Sequence, residues 1–231
     1  MSMSVHEAAG RLGVNEQRVR QLIHSGDLRA ERMGRVWLIA DSDVARLEQR
    51  RRSAGRPLGP LRAWALLDLA AGGDAPWLRS SARSQVRASM RRMQEADADR
   101  LRAALRGRSQ ILHFDAHPAA VRRLADGDVA RRAGLGLAVE RGFDLVLSDG
   151  AVDQFYVHPS RWKELAVQLA LREVRVGGNL DLLVPHGVWP FDGRDGVPDS
   201  FLAADLLDAL EPREVSAGAE ALQQLIREAV L

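Results

Sequence analysis

Over the first fifty residues, short apolar stripes at helical spacing alternate with polar turns. Val5, Ala8, Ala9 and Leu12 recur at i, i+3, i+4 and i+7, one face of a helix. Ser4, with Glu7 three residues on, forms a capping box for that helix, and Gly13 stops it. Val14 follows as an apolar plug, and Asn15 caps a second helix from residue 16 to about residue 24, closed by Ser25-Gly26. Val19, Leu22 and Ile23 face inward there, while Gln17, Arg18, Arg20, Gln21 and His24 fall on the opposite side. Residues 28–32 and 36–39 read as strands joined by a glycine turn at Met33-Gly34-Arg35. Asp41-Ser42-Asp43 then caps a third helix, with Val44 and Leu47 inward and residues 48–52 outward. Helix, turn, helix, hairpin and helix over residues 1–52 predict a winged helix-turn-helix module.

Residues 53–60 carry two prolines and two glycines without periodicity, and form a linker. A helical segment follows over 61–108: an apolar helix (Leu61, Ala65, Leu66, Leu69), a Gly72-Gly73-Asp74-Ala75-Pro76 loop, and one long helix over about 77–106. From residue 109 to 231 strands and helices alternate. Two strand-like runs, 111–114 and 154–157, each lead into His-Pro and a helix, with proline in the first turn. "FDAHPAAVRRLA" and "FYVHPSRWKELA" align at a separation of 41 residues with five identities in twelve, a weak repeat. A third strand spans 179–185, and amphipathic helices cover 201–210 and 217–231. The fold class is α+β: an N-terminal winged module, a helical middle and a C-terminal two-layer α/β domain.

Charge divides the chain more sharply than its net +2 suggests. Residues 1–110 hold 21 arginines against 12 acids, a balance of +9, and the remainder holds 12 basic against 19 acidic residues, −7. Different partners for front and back are the reading that follows. Arginine abundance is also what a GC-rich genome produces, since Lys163 is the only lysine. There is no cysteine, hence no disulfide or thiolate metal site. No run of about 18 apolar residues exists and Met1–Glu7 do not resemble a signal peptide, so a cytoplasmic protein without a membrane segment is expected.

Arginine and glutamine are the side chains that bond bidentately to guanine and adenine edges in the major groove. They cluster on the helix that a helix-turn-helix places there. The candidate DNA-binding residues are therefore Asn15, Gln17, Arg18, Arg20 and Gln21, with Arg32 and Arg35 of the hairpin against the backbone or minor groove. Arg79, Arg83 and Arg87, continuing to Arg91 and Arg92, form a second cationic stripe. It either contacts phosphate or pairs with acids of the same chain. His113, His117 and His158 with Asp115 and Asp153 could be arranged around a metal, but no pair has the i, i+4 spacing of a zinc-binding helix, and His-Pro suits turns. No glycine pattern for phosphate and no nucleophile–base set is present, so no catalytic residue, metal or cofactor is expected and the chain is not read as an enzyme.

The stretch "SVHEAAGRLGVNEQRVRQLIHSGDLRAERMGRVWLIADSDVARL" resembles the excisionase/MerR-type helix-turn-helix of excisionases and small bacterial regulators. The resemblance rests on "AA-x-x-LGV", "RVRQLIHSGDL" and "R-x-G-R-x-W-x-I". It implies that the second helix reads DNA and that Arg35 with Trp37 belongs to the wing. From residue 61 onward, "WLRSSARSQVR", "HFDAHPAAVRRLADGDVARRAG", "GGNLDLLVP" and "LAADLLDALEPREVSAGAEALQQLI" resemble the C-terminal domains of AbiEi-type antitoxins and their actinobacterial relatives. The front departs from that family, an excisionase-like module standing in place of, or before, the usual antitoxin winged helix. That resemblance implies a repressor of its own operon, encoded beside a nucleotidyltransferase-like toxin.

The leading expectation is thus a sequence-specific transcriptional repressor that binds duplex DNA at its own promoter as the antitoxin of a toxin–antitoxin operon. A homodimer on DNA is the expected assembly. The alternative is a ligand-responsive regulator whose C-terminal domain binds a small molecule in an enclosed apolar pocket. A recombination directionality factor would need little beyond the first module, and a metal-dependent hydrolase would need the histidines as ligands.

Overall fold

The computed structural model describes residues 2–24, 28–34, 36–45, 47, 57–147, 150–175, 177–209 and 211–230. The chain forms two compact units, residues 1–55 and 56–231.

The first unit contains β1 (Ser2–Met3), α1 (Val5–Leu12), α2 (Glu16–His24), β2 (Glu31–Met33), β3 (Val36–Ala40) and a helix α3 described over 41–45. Val5, Ala8, Ala9 and Leu12 of α1 meet Val19 and Leu22 of α2, and Leu28, Ile39, Val44 and Leu47 complete this core. The three strands form an antiparallel sheet in the order β1-β3-β2. β1 is an addition to the sequence reading. Two residues are too short to show a period of two, and the pairing of Ser2 with Ala40 and Met3 with Ile39 is a tertiary event.

The second unit runs α4 (Pro60–Ala70), α5 (Ser80–Met93), α6 (Ala98–Leu105), β4 (Ser109–Asp115), α7 (Pro118–Asp126), β5 (Ala130–Ala133), α8 (Gly134–Glu140), β6 (Asp153–Val157), α9 (Trp162–Gln168), β7 (Arg172–Glu173), β8 (Leu180–Pro185), α10 (Asp199–Asp208) and α11 (Pro212–Val230). Its sheet has the order β5-β6-β8-β4-β7, antiparallel except for the β6–β8 pair. The two strand–His-Pro–helix segments lie on either side of β8, and Leu124 of α7 and Leu165 of α9 join Leu112, Phe114, Phe155, Leu182 and Val184 in one cluster. Tyr156, Leu183 and Ala133, on the other face, pack into a larger cluster built from α4, α5, α6, α10 and α11. Both faces of the sheet are therefore covered, and α4–α6 share a core with the strands instead of standing apart as the segment 61–108. This explains why every residue of β8 is buried although its sequence carries Asp181.

The long helix expected over 77–106 is two helices. α5 stops at Met93, and Asp97 starts α6 by accepting the Arg100 N–H at 2.8 Å. Ala96, buried in the turn, gives its carbonyl to Gln223 Nε2 of α11 at 2.7 Å. A good cap and a buried anchor together override helical propensity across 94–97.

α10 is buried on all sides from Ser200 to Leu207, as is α4 from Ala63 to Ala70. Each polar group on such helices needs a partner. Ser200 Oγ donates to the Leu67 carbonyl at 2.7 Å. Asp205 and Asp208 hold Arg108, whose guanidinium gives Nη2 to Asp205 Oδ1 at 3.0 Å and Nη1 to Asp208 Oδ2 at 2.7 Å. Tyr156 donates its hydroxyl to the same Asp205 oxygen at 2.5 Å, and the Arg108 carbonyl receives Trp64 Nε1 at 2.9 Å. Burial pushes the Asp205 carboxyl up to about 6 against the opposing pull of Arg108, and pushes the Tyr156 phenol well up. Because Asp205 binds its proton more readily when folded, its titration removes stability as pH rises from the ordinary carboxylate range through about 6.

Two outcomes follow for stability. Arg108→Ala leaves Asp205 buried with only a phenol for company and is expected to cost about 3–5 kcal/mol, read as a lower denaturant midpoint. Gly218 of α11 lies where an added Cβ would sit 2.6 Å from the Ala203 carbonyl oxygen and 2.8 Å from Leu206 Cβ. Alanine is the better helix former by about 1 kcal/mol. The overlap is with backbone that cannot step aside, so Gly218→Ala is expected to destabilise by about 1–3 kcal/mol in the same assay.

Candidate nucleic-acid interface

The interface begins with the turn between α1 and α2. Ser4 Oγ receives the Glu7 N–H at 3.3 Å and Glu7 Oε2 receives the Ser4 N–H at 2.7 Å, closing the capping box. The Ser4 N–H and the Ser4 hydroxyl, which also donates to Glu7 Oε2 at 2.9 Å, hold the Glu7 carboxyl below its usual range, the backbone bond contributing most. Gly13 ends α1 at a φ of 64°, a left-handed conformation in which a side chain is strained. Val14 tucks against the core, and Asn15 Oδ1 accepts the Arg18 N–H at 2.8 Å to start α2. With Val19 and Leu22 buried, the helix turns Gln17, Arg18, Arg20 and Gln21 outward. The predicted residues Asn15, Gln17, Arg18, Arg20 and Gln21 are thus all exposed on one helix and its cap. Asn15, Gln17, Arg18 and Gln21 line a shallow open concavity with Val14.

These side chains are organised rather than splayed. Arg18 Nη1 donates to Gln21 Oε1 at 3.2 Å, which places a guanidinium fork beside a carboxamide. Arg20 Nη2 donates to Glu16 Oε2 at 2.8 Å, and Glu16 Oε1 lies 3.1 Å from Nδ1 of His6 on α1. The Glu16 carboxyl is held below its usual range, by the His6 bond first and by Arg20 as well. Glu16 and His6 were not among the residues picked from sequence. The Glu16–Arg20 spacing of four was the available signal, while the His6 contact is tertiary.

In the hairpin, Gly34 makes the turn at a φ of 63°, and Arg32 Nε donates to the Gly34 carbonyl at 3.2 Å. The Arg32 guanidinium also stands 5.8 Å from the Trp37 ring centroid, a cation–π contact that steadies it at an exposed site. Arg35 lies outside the described residues, as do Ser25-Gly26 and residues 48–52.

The second cationic stripe falls on α5. Arg79 precedes its first turn; Arg83 is half-buried, giving Nη1 to the Asp74 carbonyl at 2.7 Å. Arg79, Arg87 and Arg91 are exposed and take no hydrogen-bond or ion-pair partner among the described residues. The histidines considered as ligands have other work. His113 Nδ1 meets Asp181 Oδ1 at 2.6 Å, and Asp115 pairs with Arg172. His117 Nδ1 accepts the Ala119 N–H and His158 Nδ1 the Ser160 N–H, each at 3.2 Å. Both histidines thus accept a backbone N–H two residues on, but only His117 caps a helix, α9 starting after Arg161. Among the described residues no helix is long and apolar enough to cross a membrane.

Residues 2–52 match a family model described as a helix-turn-helix domain. Neither the curated proteins nor the solved structures provide a match. The N-terminal unit therefore carries a helix-turn-helix domain, of the kind that binds DNA.

Each exposed arginine should affect binding differently. Arg18→Ala is expected to reduce discrimination between a cognate duplex and random duplex by about 1–3 kcal/mol. Arg32→Ala should weaken both alike and lower the slope of log K against log salt by about 1. Fluorescence anisotropy at several salt concentrations distinguishes the two patterns.

Proposed function

We propose that this chain is a sequence-specific transcriptional repressor of its own promoter and serves as the antitoxin of a toxin–antitoxin operon. The observation that carries the DNA part is the ordered row of Asn15, Gln17, Arg18, Arg20 and Gln21 on the exposed side of α2. The antitoxin part is supported by the resemblance of residues 61–231 to AbiEi-type C-terminal domains. The two helices that carry its strongest motifs, α10 and α11, pack directly together around Gly218. The partner on this reading is a nucleotidyltransferase-like toxin, and the chain acts by binding, with no reaction assigned to it.

A single recognition helix spans few base pairs, so one copy on one half-site binds modestly. Two copies on a repeated site would gain by avidity. Anisotropy with the DNA immediately upstream of the chain's own gene, beside scrambled duplex, is expected to show preference for the upstream DNA and a cooperative isotherm. A promoter fusion should be repressed when the chain is supplied in trans. Induction of the neighbouring gene alone should arrest growth, and co-induction of this chain should relieve the arrest. Selection from a random duplex library separates the parts: an enriched motif absent from the upstream DNA would retain sequence-specific binding and remove autoregulation. No enrichment at all would remove both.

A further inference from the structure

We propose that Glu16 is a positioning residue of the recognition helix, setting sequence discrimination by fixing the direction in which Arg20 reaches. The inference rests on the DNA-binding reading of α2 and adds a residue to it. Both oxygens of the Glu16 carboxylate are engaged, and by different elements. Oε2 takes Arg20 Nη2 at 2.8 Å one turn along α2, and Oε1 takes His6 Nδ1 at 3.1 Å from α1. An exposed i, i+4 pair by itself is weak in water. This one is anchored from a second helix, which limits the rotamers of the carboxylate and so of the guanidinium it holds. Guanine recognition by arginine depends on presenting a planar fork in a set orientation, so limiting those rotamers raises the difference between right and wrong bases.

The charge of Glu16 acts in the same direction. A carboxylate in the first turn of a recognition helix opposes the phosphates of any duplex, whatever its sequence. It reduces affinity for random DNA, while a cognate site regains the loss through the contact that Arg20 makes. Glu16 therefore trades raw affinity for selectivity, a form of specificity built on a repulsive group.

The test uses the full chain, the best duplex from library selection and a random duplex of equal length. Glu16→Gln is expected to leave the thermal midpoint unchanged, to raise affinity for random duplex and to lower the cognate-to-random ratio about tenfold. Glu16→Asp keeps the charge but falls short of Arg20. It should bind random duplex as the wild type does and still lose discrimination. In an Arg20→Ala background Glu16→Gln should change the ratio no further, because the effect passes through Arg20. A further drop in that background would mean that Glu16 reads a base itself and would overturn the positioning role. So would a wild-type ratio in Glu16→Gln, or an equal loss on both duplexes with a lowered thermal midpoint. If Arg18→Ala and Arg20→Ala also leave discrimination intact, the assignment of α2 as the reader falls and the proposal falls with it. If those two variants lose it and Glu16→Gln does not, only the proposal falls.

Discussion

The second unit depends on one guanidinium held away from water. Arg108 sits at the junction between α6 and the first long strand, with its side chain 3% exposed, and two carboxylates of α10 close on it. Placing that charge in the core is costly unless partners are fixed, and here they come from elements far apart in sequence. Asp205 and Asp208 set the rotation and height of α10, Tyr156 ties β6 to the same oxygen, and Trp64 brings α4 to the Arg108 carbonyl. Apolar packing alone would let a helix as uniformly buried as α10 slide or turn. The ion pairs make one register preferable, and α11 can then approach closely enough to need glycine at 218.

The first unit is organised by a different constraint, the three residues between α1 and α2. Gly13 supplies the left-handed turn, Val14 the apolar plug and Asn15 the cap. Together they fix the angle at which α2 leaves α1, and so decide that Val19 and Leu22 go inward while four polar residues go outward. The same geometry brings His6 within reach of Glu16. The arrangement of polar side chains on α2 is therefore conditioned by packing on α1, although α1 contributes none of the candidate DNA-binding residues.

Much of this was legible in the sequence, for reasons that differ by element. The capping box at Ser4, the stop at Gly13 and the cap at Asn15 act within four residues, so local chemistry was sufficient to place both helices. The first strand–His-Pro–helix unit was legible because Pro118 opens α7, whereas in the second Pro159 lies in a turn and α9 begins only at Trp162. What was missed is tertiary. β1 exists only because β3 offers it an edge, and the break at 94–97 joins the tertiary hold of α11 on Ala96 to a local cap at Asp97 that the sequence did carry. The merging of α4–α6 with the sheet depends on Arg108, one arginine among many until its two carboxylates are seen.

Charge geography links the two units without any assumption about how they are arranged. α5 has no acid, and three arginines on or beside it have no partner among the described residues. Sequence left open whether this stripe pairs internally or meets an anion; among the described residues only Arg83 finds an acidic residue, Asp74. An unneutralised cationic helix raises the local electrostatic potential along its own face. A second phosphate contact carried on the same chain would strengthen binding without making it concentration-cooperative, since the tether and not a second molecule supplies the local concentration. Avidity from a second copy does the opposite, steepening the isotherm. The two routes to adequate affinity are thus distinguished by the shape of the binding curve, and the salt slope measures how many phosphates each engages.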